Sequence, residues 1–330
     1  MAVNLNPQYL EAEQEFKKAQ SAEDKLTCLK KMWTFLPKHK ASEKLQSELK
    51  KKMSALREEV ETAKQSPKKG GVSYKIPRQG AGQIVVIGAP NAGKSSMLAK
   101  LTRATPEIGA FPFTTHEPTP GMMEWEDVKI QLIDTPPITG DYLEGWLQSM
   151  VRTADAAVLL VDLGDDDGPL NVDPVIDRLA QVKTMLVREG TPPDEDLTVE
   201  HVKTLMVANK IDAPGAADRL EMLKELYGSR FPIEVVSLEQ GTNVPELRTA
   251  LYKLLNVIRV YTKKPGKPAD MASPFTIPDG GTVLDLAGSV HRDLVDSLKS
   301  ARLWGTGVFE GQTVTRDHVL HDKDVVELHT

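Results

Sequence analysis

The chain has 330 residues, more than one typical domain, which predicts two or three folded units. With 40% hydrophobic and 27% charged residues, and no apolar run near the roughly 18 residues of a membrane span, the composition argues against a membrane protein. Cys28 is the single cysteine, which excludes an intrachain disulfide and a cysteine metal cluster. The N-terminus lacks the layout of a signal peptide, so the sequence predicts a cytoplasmic protein without a membrane partner.

Positive charge is concentrated at the start of the chain. Residues 1–79 carry 17 Lys/Arg and 10 Asp/Glu, a net charge of +7, whereas the rest of the chain carries −13. This asymmetry indicates an anionic partner, although a solvated helical face with a flexible tether explains it equally well. Apolar spacing predicts a helical hairpin or bundle in residues 1–66, followed by a linker at 67–81. The predicted helices are Tyr9–Gln20, a segment from Ser21 to Pro37, and Leu45–Val60.

Residues 82–257 alternate short apolar runs with helical patterns. This alternation predicts an α/β domain with a mostly parallel, six-stranded sheet that has one antiparallel hairpin. Ligands bind such sheets at the carboxyl ends of the strands, so polar residues directly after a strand are the first candidates for a site. The predicted strands are Ile84–Ile87, Met122–Trp125, Val128–Ile133, Ala156–Val161, Thr204–Ala208 and Ile233–Val236, and the predicted helices include Leu143–Val151, Pro174–Arg188, Ala217–Leu226 and Pro245–Leu254.

A glycine-rich loop follows the first strand and precedes a helical segment. This pattern is typical of a phosphate-binding loop, in which backbone N–H groups and a helix N-terminus surround a polyphosphate. Lys94 is expected to contact the β- and γ-phosphates, and the Ser95 hydroxyl to bind Mg²⁺. An ordinary glycine turn is the competing interpretation. The predicted phosphate-binding residues are Gly88, Pro90, Asn91, Ala92, Gly93, Lys94, Ser95 and Ser96.

Two further segments contain candidate magnesium ligands. Asp134 follows the strand Val128–Ile133, where a carboxylate suits a water-mediated contact to Mg²⁺. Upstream, a turn-rich loop contains the run from Phe111 to Thr115, and a threonine there could place its hydroxyl on Mg²⁺ and its N–H on the γ-phosphate. Such a loop is ordered by a nucleoside triphosphate and released by the diphosphate. A long loop without function is the alternative.

The run from Asn209 to Asp212 directly follows the strand Thr204–Ala208. The Asp212 carboxylate can accept hydrogen bonds from both N1–H and the 2-amino group of guanine. Adenine lacks this pair of donors, and an unsatisfied buried charge costs roughly 1–3 kcal/mol or more. Asn209 is expected to brace the base and the phosphate loop, and Lys210 to cover the ring. Taken alone, the motif is also an ordinary helix-capping turn. The turn Ser237-Leu238 offers a backbone N–H for guanine O6.

The order and spacing of these motifs resemble GTPases of the Obg/HflX superfamily, and most closely their DRG (developmentally regulated GTP-binding) branch. The resemblance implies hydrolysis of GTP to GDP and phosphate, and it makes Thr115 the magnesium ligand of the first switch. Asn91 matches an asparagine that in related GTPases helps to hold K⁺ in place of an arginine finger, and a loop-stabilising hydrogen bond is its alternative role. The catalytic residues so implied are Lys94, Thr115, Asp134 and Asn91, and the metal ligands are Ser95, Thr115 and Asp134.

Two features depart from the family pattern. Pro137 stands where the third motif has a glycine whose N–H contacts the γ-phosphate, and proline has no N–H. A hydrogen bond to a charged group is worth roughly 1.5–3 kcal/mol. Because Ile138 also replaces the water-orienting glutamine of Ras-like enzymes, slow unassisted hydrolysis is expected. The small domain that DRG proteins insert is not expected either, since residues 163–200 read as an acidic loop around one helix.

Residues 258–330 resemble the TGS domain, a ubiquitin-like β-grasp module, with a helix at Val283–Val290 and strand pieces at Phe275–Ile277 and Asp324–Leu328. The resemblance implies contact with RNA or the ribosome. Residues 257–330, however, hold 9 Lys/Arg and 10 Asp/Glu, so they predict no basic surface.

The leading hypothesis is therefore a GTPase switch that binds GTP or GDP with Mg²⁺, and K⁺ through Asn91, in translation or ribosome assembly. Its partners would be the ribosome or RNA and a protein regulator. A GTP-binding regulatory or scaffold module with little hydrolysis is the alternative, because of Pro137. An ATPase or small-molecule kinase is a third hypothesis, and it predicts comparable affinity for ATP and GTP.

Overall fold

The computed structural model describes residues 22–36, 46, 49–53, 74–103, 117–192, 196 and 198–330. The chain forms two compact units, Met1–Gly71 and Val72–Thr330. In the first unit, helix α1 (Ala22–Phe35) ends before Pro37, as the sequence predicts, and residues 49–53 are helical. The predicted helix Tyr9–Gln20 lies outside the described residues. Among the residues of this unit that the structure describes, the buried apolar side chains are Leu29, Met32, Leu36 and Leu49, together with Cys28.

The described residues of the second unit form two sheets. The elements of its first part are β1 (Gln83–Gly88), α2 (Lys94–Leu101), β2 (Thr119–Trp125), β3 (Val128–Asp134), α3 (Gly145–Thr153), β4 (Ala156–Asp162), α4 (Val172–Gln181), β5 (Thr184–Val187), β6 (Glu200–Asn209), α5 (Ala216–Tyr227), β7 (Ile233–Val235) and α6 (Val244–Leu255). Those of its second part are β8 (Val257–Lys263), β9 (Ala269–Pro278), α7 (Val283–Val290), α8 (Arg292–Ser297), β10 (Ser300–Trp304), β11 (Gln312–Val314) and β12 (Asp324–His329). No helix in the described part of the chain has the length and apolar character needed to cross a bilayer.

The first sheet is parallel except for the β2–β3 hairpin. Its strands follow the order β2-β3-β1-β4-β6-β5, and β7 pairs with β6. Strands β1 and β4 are buried along their whole length because helices cover both faces, which explains their continuous apolar sequences. Helices α2 and α6 pack on one face, and α3, α4 and α5 pack on the other. The carboxyl ends of β1, β3, β4 and β6 therefore meet at one edge, as expected for a mostly parallel α/β fold.

Within the described residues this sheet has seven strands rather than the six predicted. The predicted helix Pro174–Arg188 ends at Gln181, and the chain then turns at Lys183, which has a φ of 58°. Residues Thr184–Val187 form β5 and pair with β6 in parallel. The apolar residues of this segment continue the helical spacing of α4, so the sequence pattern alone does not separate the strand from the helix.

The second sheet contains five strands in the order β11-β10-β12-β8-β9. Its apolar face packs against α7, and Thr282 caps that helix in a capping box with Asp285. The predicted helix Val283–Val290 is confirmed at its predicted bounds. A mixed sheet with helices on one face is the arrangement expected of a β-grasp module.

A buried arginine joins the two sheets. Arg259, on β8, is 3% exposed, and its guanidinium pairs with Glu126 (2.5 Å) and Asp127 (2.9 Å) in the β2–β3 turn. It also pairs with Asp322, which precedes β12, at 2.7 Å. Burial alone would raise the pKa of the Asp127 carboxyl, but hydrogen bonds from Tyr261 and Arg259 hold it below its ordinary value. The second sheet is thus fixed to the tip of the β2–β3 hairpin by charged hydrogen bonds.

Candidate nucleotide-binding site

The glycine-rich loop leaves β1 at the edge where the parallel strands end. Gly88 has a φ of 152°, and a Cβ there would lie 2.5 Å from the backbone oxygen of Leu160 on β4. Gly93 caps α2 with a φ of 99°, and a Cβ there would lie 2.6 Å from the side-chain nitrogen of Asn209. Both glycines therefore allow the loop to curl closely against neighbouring strands. The N-terminus of α2 points its backbone N–H groups along the helix axis toward this loop, which suits the binding of an anion.

The side chain of Lys94 extends back into the curve of this loop. Lys94 is the first residue of α2 and is 7% exposed. Its Nζ donates hydrogen bonds to the backbone oxygens of Ala89 (2.8 Å) and Gly88 (3.2 Å). Burial lowers the pKa of Lys94 to about 8, and the nearby Asp134 carboxylate partly opposes this shift. A cation beside a glycine-rich loop and a helix N-terminus is suited to binding a polyphosphate.

Oxygen donors suited to Mg²⁺ lie beside this amine. The Ser95 hydroxyl donates a 2.6 Å hydrogen bond to Oδ2 of Asp134, which is fully buried at the end of β3. A hydroxyl and a carboxylate at this spacing fit a hard cation that prefers oxygen ligands. The third predicted ligand, Thr115, lies outside the described residues.

The predicted guanine-recognition segment lies against the phosphate loop. Asn209, at the end of β6, donates from Nδ2 to the backbone oxygen of Ala92 (3.1 Å), and its Oδ1 accepts from the N–H of Leu238 (3.2 Å). One buried amide therefore links the phosphate loop to the turn that follows β7. Lys210, with a φ of 65°, donates from Nζ to the backbone oxygen of Asn91 at 3.2 Å.

Asp212 lies in the turn between β6 and α5, where it is exposed at the same edge of the sheet. Ser237 is fully buried, and its Oγ accepts from the N–H of Gln240 at 3.0 Å, which shapes the turn that contains Leu238. The structure therefore brings together the phosphate loop, Asp134, the segment from Asn209 to Asp212 and the Ser237-Leu238 turn.

The third motif is packed into the core. Pro137 and Ile138 are buried, and Ile138 belongs to the core cluster that includes β1 and β4 residues. The N–H of Ile138 donates to the backbone oxygen of Gly88 at 3.1 Å. Thr135 donates from Oγ1 to the backbone oxygen of Val86 at 2.7 Å. In this conformation neither position 137 nor position 138 offers a free backbone N–H to the phosphate loop.

Asp162 is a site residue that the sequence reasoning missed. It ends β4, and its Oδ2 pairs with Lys210 Nζ at 2.5 Å, while its Oδ1 accepts from the N–H of Gly164 at 2.7 Å. The signal was present in the sequence, because Asp162 directly follows the predicted strand Ala156–Val161, as Asp134 follows its own strand. Asp162 is therefore a candidate once polar residues directly after every predicted strand are considered.

Two family models match the chain. The model described as 50S ribosome-binding GTPase matches residues 83–210, and the TGS domain model matches residues 258–330. Among solved structures, the YchF GTPase of Schizosaccharomyces pombe aligns with a TM-score of 0.55 at 14% identity, covering 78% of this chain and 100% of that one. At this identity the structural likeness shows a shared fold.

Curated relatives align over most of the chain. A GTP-binding protein of Methanocaldococcus jannaschii is 29% identical over 88% of both chains. Developmentally-regulated G-protein 1 of Arabidopsis thaliana is 27% identical, over 88% of this chain and 87% of its own. Ribosome-interacting GTPase 1 of Saccharomyces cerevisiae is 26% identical, over 88% of this chain and 94% of its own. The chain therefore contains a GTPase domain followed by a TGS domain, and over most of its length it is similar to GTP-binding proteins of the DRG type.

Proposed function

We propose that this GTPase binds GTP with Mg²⁺ at the edge formed by β1, β3 and β6, and hydrolyses it to GDP and phosphate as a molecular switch. The main support is Asn209, whose side chain contacts both the phosphate loop at Ala92 and the turn at Leu238. A single nucleotide then spans from Lys94 to Asp212. In this arrangement the glycine-rich loop binds the phosphates at one end of the nucleotide, and a carboxylate selects guanine at the other end.

Each site residue has a distinct proposed role. Lys94 would neutralise charge on the β- and γ-phosphates, while Ser95 would hold a magnesium ion directly and Asp134 would hold it through water. When bound, Mg²⁺ would supply positive charge that offsets the negative charge developing on the phosphates. Thr115 completes this set as the first-switch ligand, and Asn91 helps to hold K⁺.

Base recognition is tested by the substitution Asp212→Asn. Xanthine carries a carbonyl where guanine carries the 2-amino group, so an asparagine amide can pair with N1–H and this carbonyl. We expect the variant to lose about tenfold or more of its GDP affinity and to gain affinity for xanthosine diphosphate. Competition binding with the two nucleotides and ADP measures the change. Equal affinity of the unaltered protein for ADP and GDP would instead favour the ATPase or kinase hypothesis.

Hydrolysis without a partner is proposed to be slow. Pro137 cannot donate a hydrogen bond, and the N–H of Ile138 is engaged by Gly88. The γ-phosphate therefore lacks the third-motif contact that most P-loop GTPases use. A partner that reshapes this segment, or that supplies a group of its own, would then raise the rate.

Restoring an amide tests this proposal. We expect Pro137→Gly to raise the single-turnover rate of GTP hydrolysis about tenfold, the value of one hydrogen bond to a charged phosphate. Pro136→Gly is the matched control, since it gives the same backbone freedom at the neighbouring buried position but leaves Pro137 in place. The rates are compared in K⁺ and Na⁺ buffers, with and without ribosomes. Turnover no faster than that of free GTP in every condition would favour a binding module.

A ribosomal or RNA partner is proposed for the switch, and with it a cytoplasmic role. The support is the printed name of the yeast relative, Ribosome-interacting GTPase 1, together with the net charge of +7 on residues 1–79. Residues 257–330 have almost balanced charge, so electrostatic attraction to RNA is expected to come from the N-terminal segment.

Co-sedimentation tests this partner. We expect the protein to pellet with ribosomes more strongly with a non-hydrolysable GTP analogue than with GDP, and less strongly at higher salt. A version that lacks residues 1–66 should lose most of the salt dependence. Equal pelleting with both nucleotides would argue against a switch that acts on ribosomes.

A further inference from the structure

Helix α5 begins immediately behind the turn that carries Asp212, and one of its side chains reaches back to that turn. Arg219 is 14% exposed at its side chain and donates from Nε to the backbone oxygen of Leu163 at 2.5 Å. Its Nη2 donates to the backbone oxygen of Pro214, two residues after Asp212. Its Nη1 pairs with Asp166 at 2.6 Å, but that carboxylate is 94% exposed, so the pair itself contributes little.

These contacts complete a closed set of hydrogen bonds around the turn. The N–H of Leu163 donates to the backbone oxygen of Asn209 at 2.9 Å, where the turn begins. The oxygen of the same Leu163 accepts from Arg219, which also holds Pro214, where the turn ends. Residues 209 to 214 are therefore fastened at both ends to the segment that follows β4. A planar guanidinium is suited to this task because its donors have a fixed geometry.

The position of Asp212 depends on these hydrogen bonds at the two ends of the turn. Its side chain is exposed and takes none of the hydrogen bonds found among the described residues, so the backbone of the turn determines where its carboxylate lies. Recognition of two adjacent donors on one base edge requires that the carboxylate be placed to within a fraction of an ångström.

We propose that Arg219 is a positioning residue for guanine selection, which holds Asp212 in place by joining the backbone oxygens of Leu163 and Pro214. The proposal rests on the nucleotide site described under Proposed function. It also assigns a role to the acidic segment after β4, which supplies the backbone oxygen to which Arg219 donates.

The test compares GDP with inosine diphosphate, which lacks the 2-amino group and so can give Asp212 only one hydrogen bond. In Arg219→Gln, we expect GDP affinity to fall about tenfold and inosine diphosphate affinity to fall less, so that the ratio of the two moves toward one. Competition by inorganic pyrophosphate, which reports the phosphate loop alone, should be unchanged. Arg219→Lys keeps the positive charge but not the planar guanidinium with its fixed donors, and it should give an intermediate ratio of GDP to inosine diphosphate affinity.

Lys224→Gln is the matched control, because Lys224 lies on the same helix, is exposed and pairs with Glu221 on that helix. It should keep the ratio of the unaltered protein. A lower melting temperature in both Arg219 variants, with the ratio of GDP to inosine diphosphate affinity unchanged, would show that Arg219 is merely structural and would overturn the proposal. If the unaltered protein itself shows no preference for GDP over ADP, the proposed function fails, and that result is distinct from a failure of this inference.

Discussion

Replacing Lys94 with methionine is expected to abolish tight GTP binding while leaving the fold intact. The Nζ of Lys94 lies inside the phosphate loop, where it would exchange its bonds to Gly88 and Ala89 for charged bonds to two phosphates. Each such bond is worth about 1.5–3 kcal/mol, so their joint loss should reduce affinity at least about 100-fold. Isothermal titration with GTP and GDP in the presence of Mg²⁺ measures the loss.

The pKa of Lys94 adds a pH signature to this prediction. Burial lowers that pKa to about 8, so the amine is charged at neutral pH and loses its proton above that value. Bound polyphosphate favours the charged form and raises the pKa, so binding takes up a proton at alkaline pH. GTP affinity should therefore be nearly constant below about pH 7 and decline as pH rises through 8. The methionine variant should lack this decline.

The control is Lys100→Met, an exposed position on the same helix, six residues further on. It should bind GTP normally. Because burial disfavours the charged amine of Lys94, the Lys94→Met protein should melt near the temperature of the unaltered protein when no nucleotide is present. Unchanged GTP affinity in Lys94→Met would refute the assignment of the phosphate loop.

Much of the site follows from a single local rule. Asp134 and Asn209 each come directly after an apolar run, and Lys94 ends the glycine-rich loop that follows another; in a parallel sheet those runs end at one edge. The direction of the strands therefore carries these side chains to the same place, whatever the details of packing. The motifs then indicate which chemical role each residue has. For this reason the phosphate loop and the proposed guanine-recognition segment can be predicted from the sequence.

Residues whose partners lie on other helices or strands are not revealed by a comparable sequence pattern. Arg219 lies in a helix rich in charged residues, where an arginine that grips two backbone oxygens looks the same in sequence as a solvated one. Arg259 interrupts the apolar strand Val257–Lys263, a hint of a buried charge, but its partners lie 63 and more than 130 residues away. Strand β5 is hidden for a different reason, since its residues continue the apolar spacing of α4.

Replacing Arg259 with methionine is expected to cause a large decrease in the free energy of unfolding. The guanidinium is almost completely buried and balances Glu126, Asp127 and Asp322. Removing one partner of a buried ion pair typically costs 3–5 kcal/mol, and because these carboxylates are partly exposed we expect about 3 kcal/mol here. The stacked rings of Trp125 and Tyr252, 3.8 Å apart, would also lose the cation that lies over them. Urea unfolding measures the change.

The pH dependence separates charge from packing. Burial would raise the pKa values of Asp127 and Asp322, but hydrogen bonds from Tyr261 and Arg259 to Asp127, and from Arg259 to Asp322, hold both below their ordinary 3.8. A carboxyl with a lowered pKa contributes stability that is full above about pH 5 and is lost as pH falls through its folded value. The stability advantage of the unaltered protein over Arg259→Met should therefore shrink in acid. A constant difference between pH 7 and pH 3 would show that Arg259 acts through packing alone.

Arg302→Met is the matched control, because Arg302 lies in the same sheet on β10 but is exposed. It should change the free energy of unfolding by less than about 0.5 kcal/mol. Arg259 holds the tip of the β2–β3 hairpin, at the opposite end of β3 from Asp134, the proposed magnesium ligand. Loosening this junction should therefore leave the GDP affinity nearly unchanged, since the phosphate and guanine contacts lie at the other end of the strands. A loss of GDP affinity as large as that of Lys94→Met would contradict a purely structural role for the junction and would place the TGS domain in control of the nucleotide site.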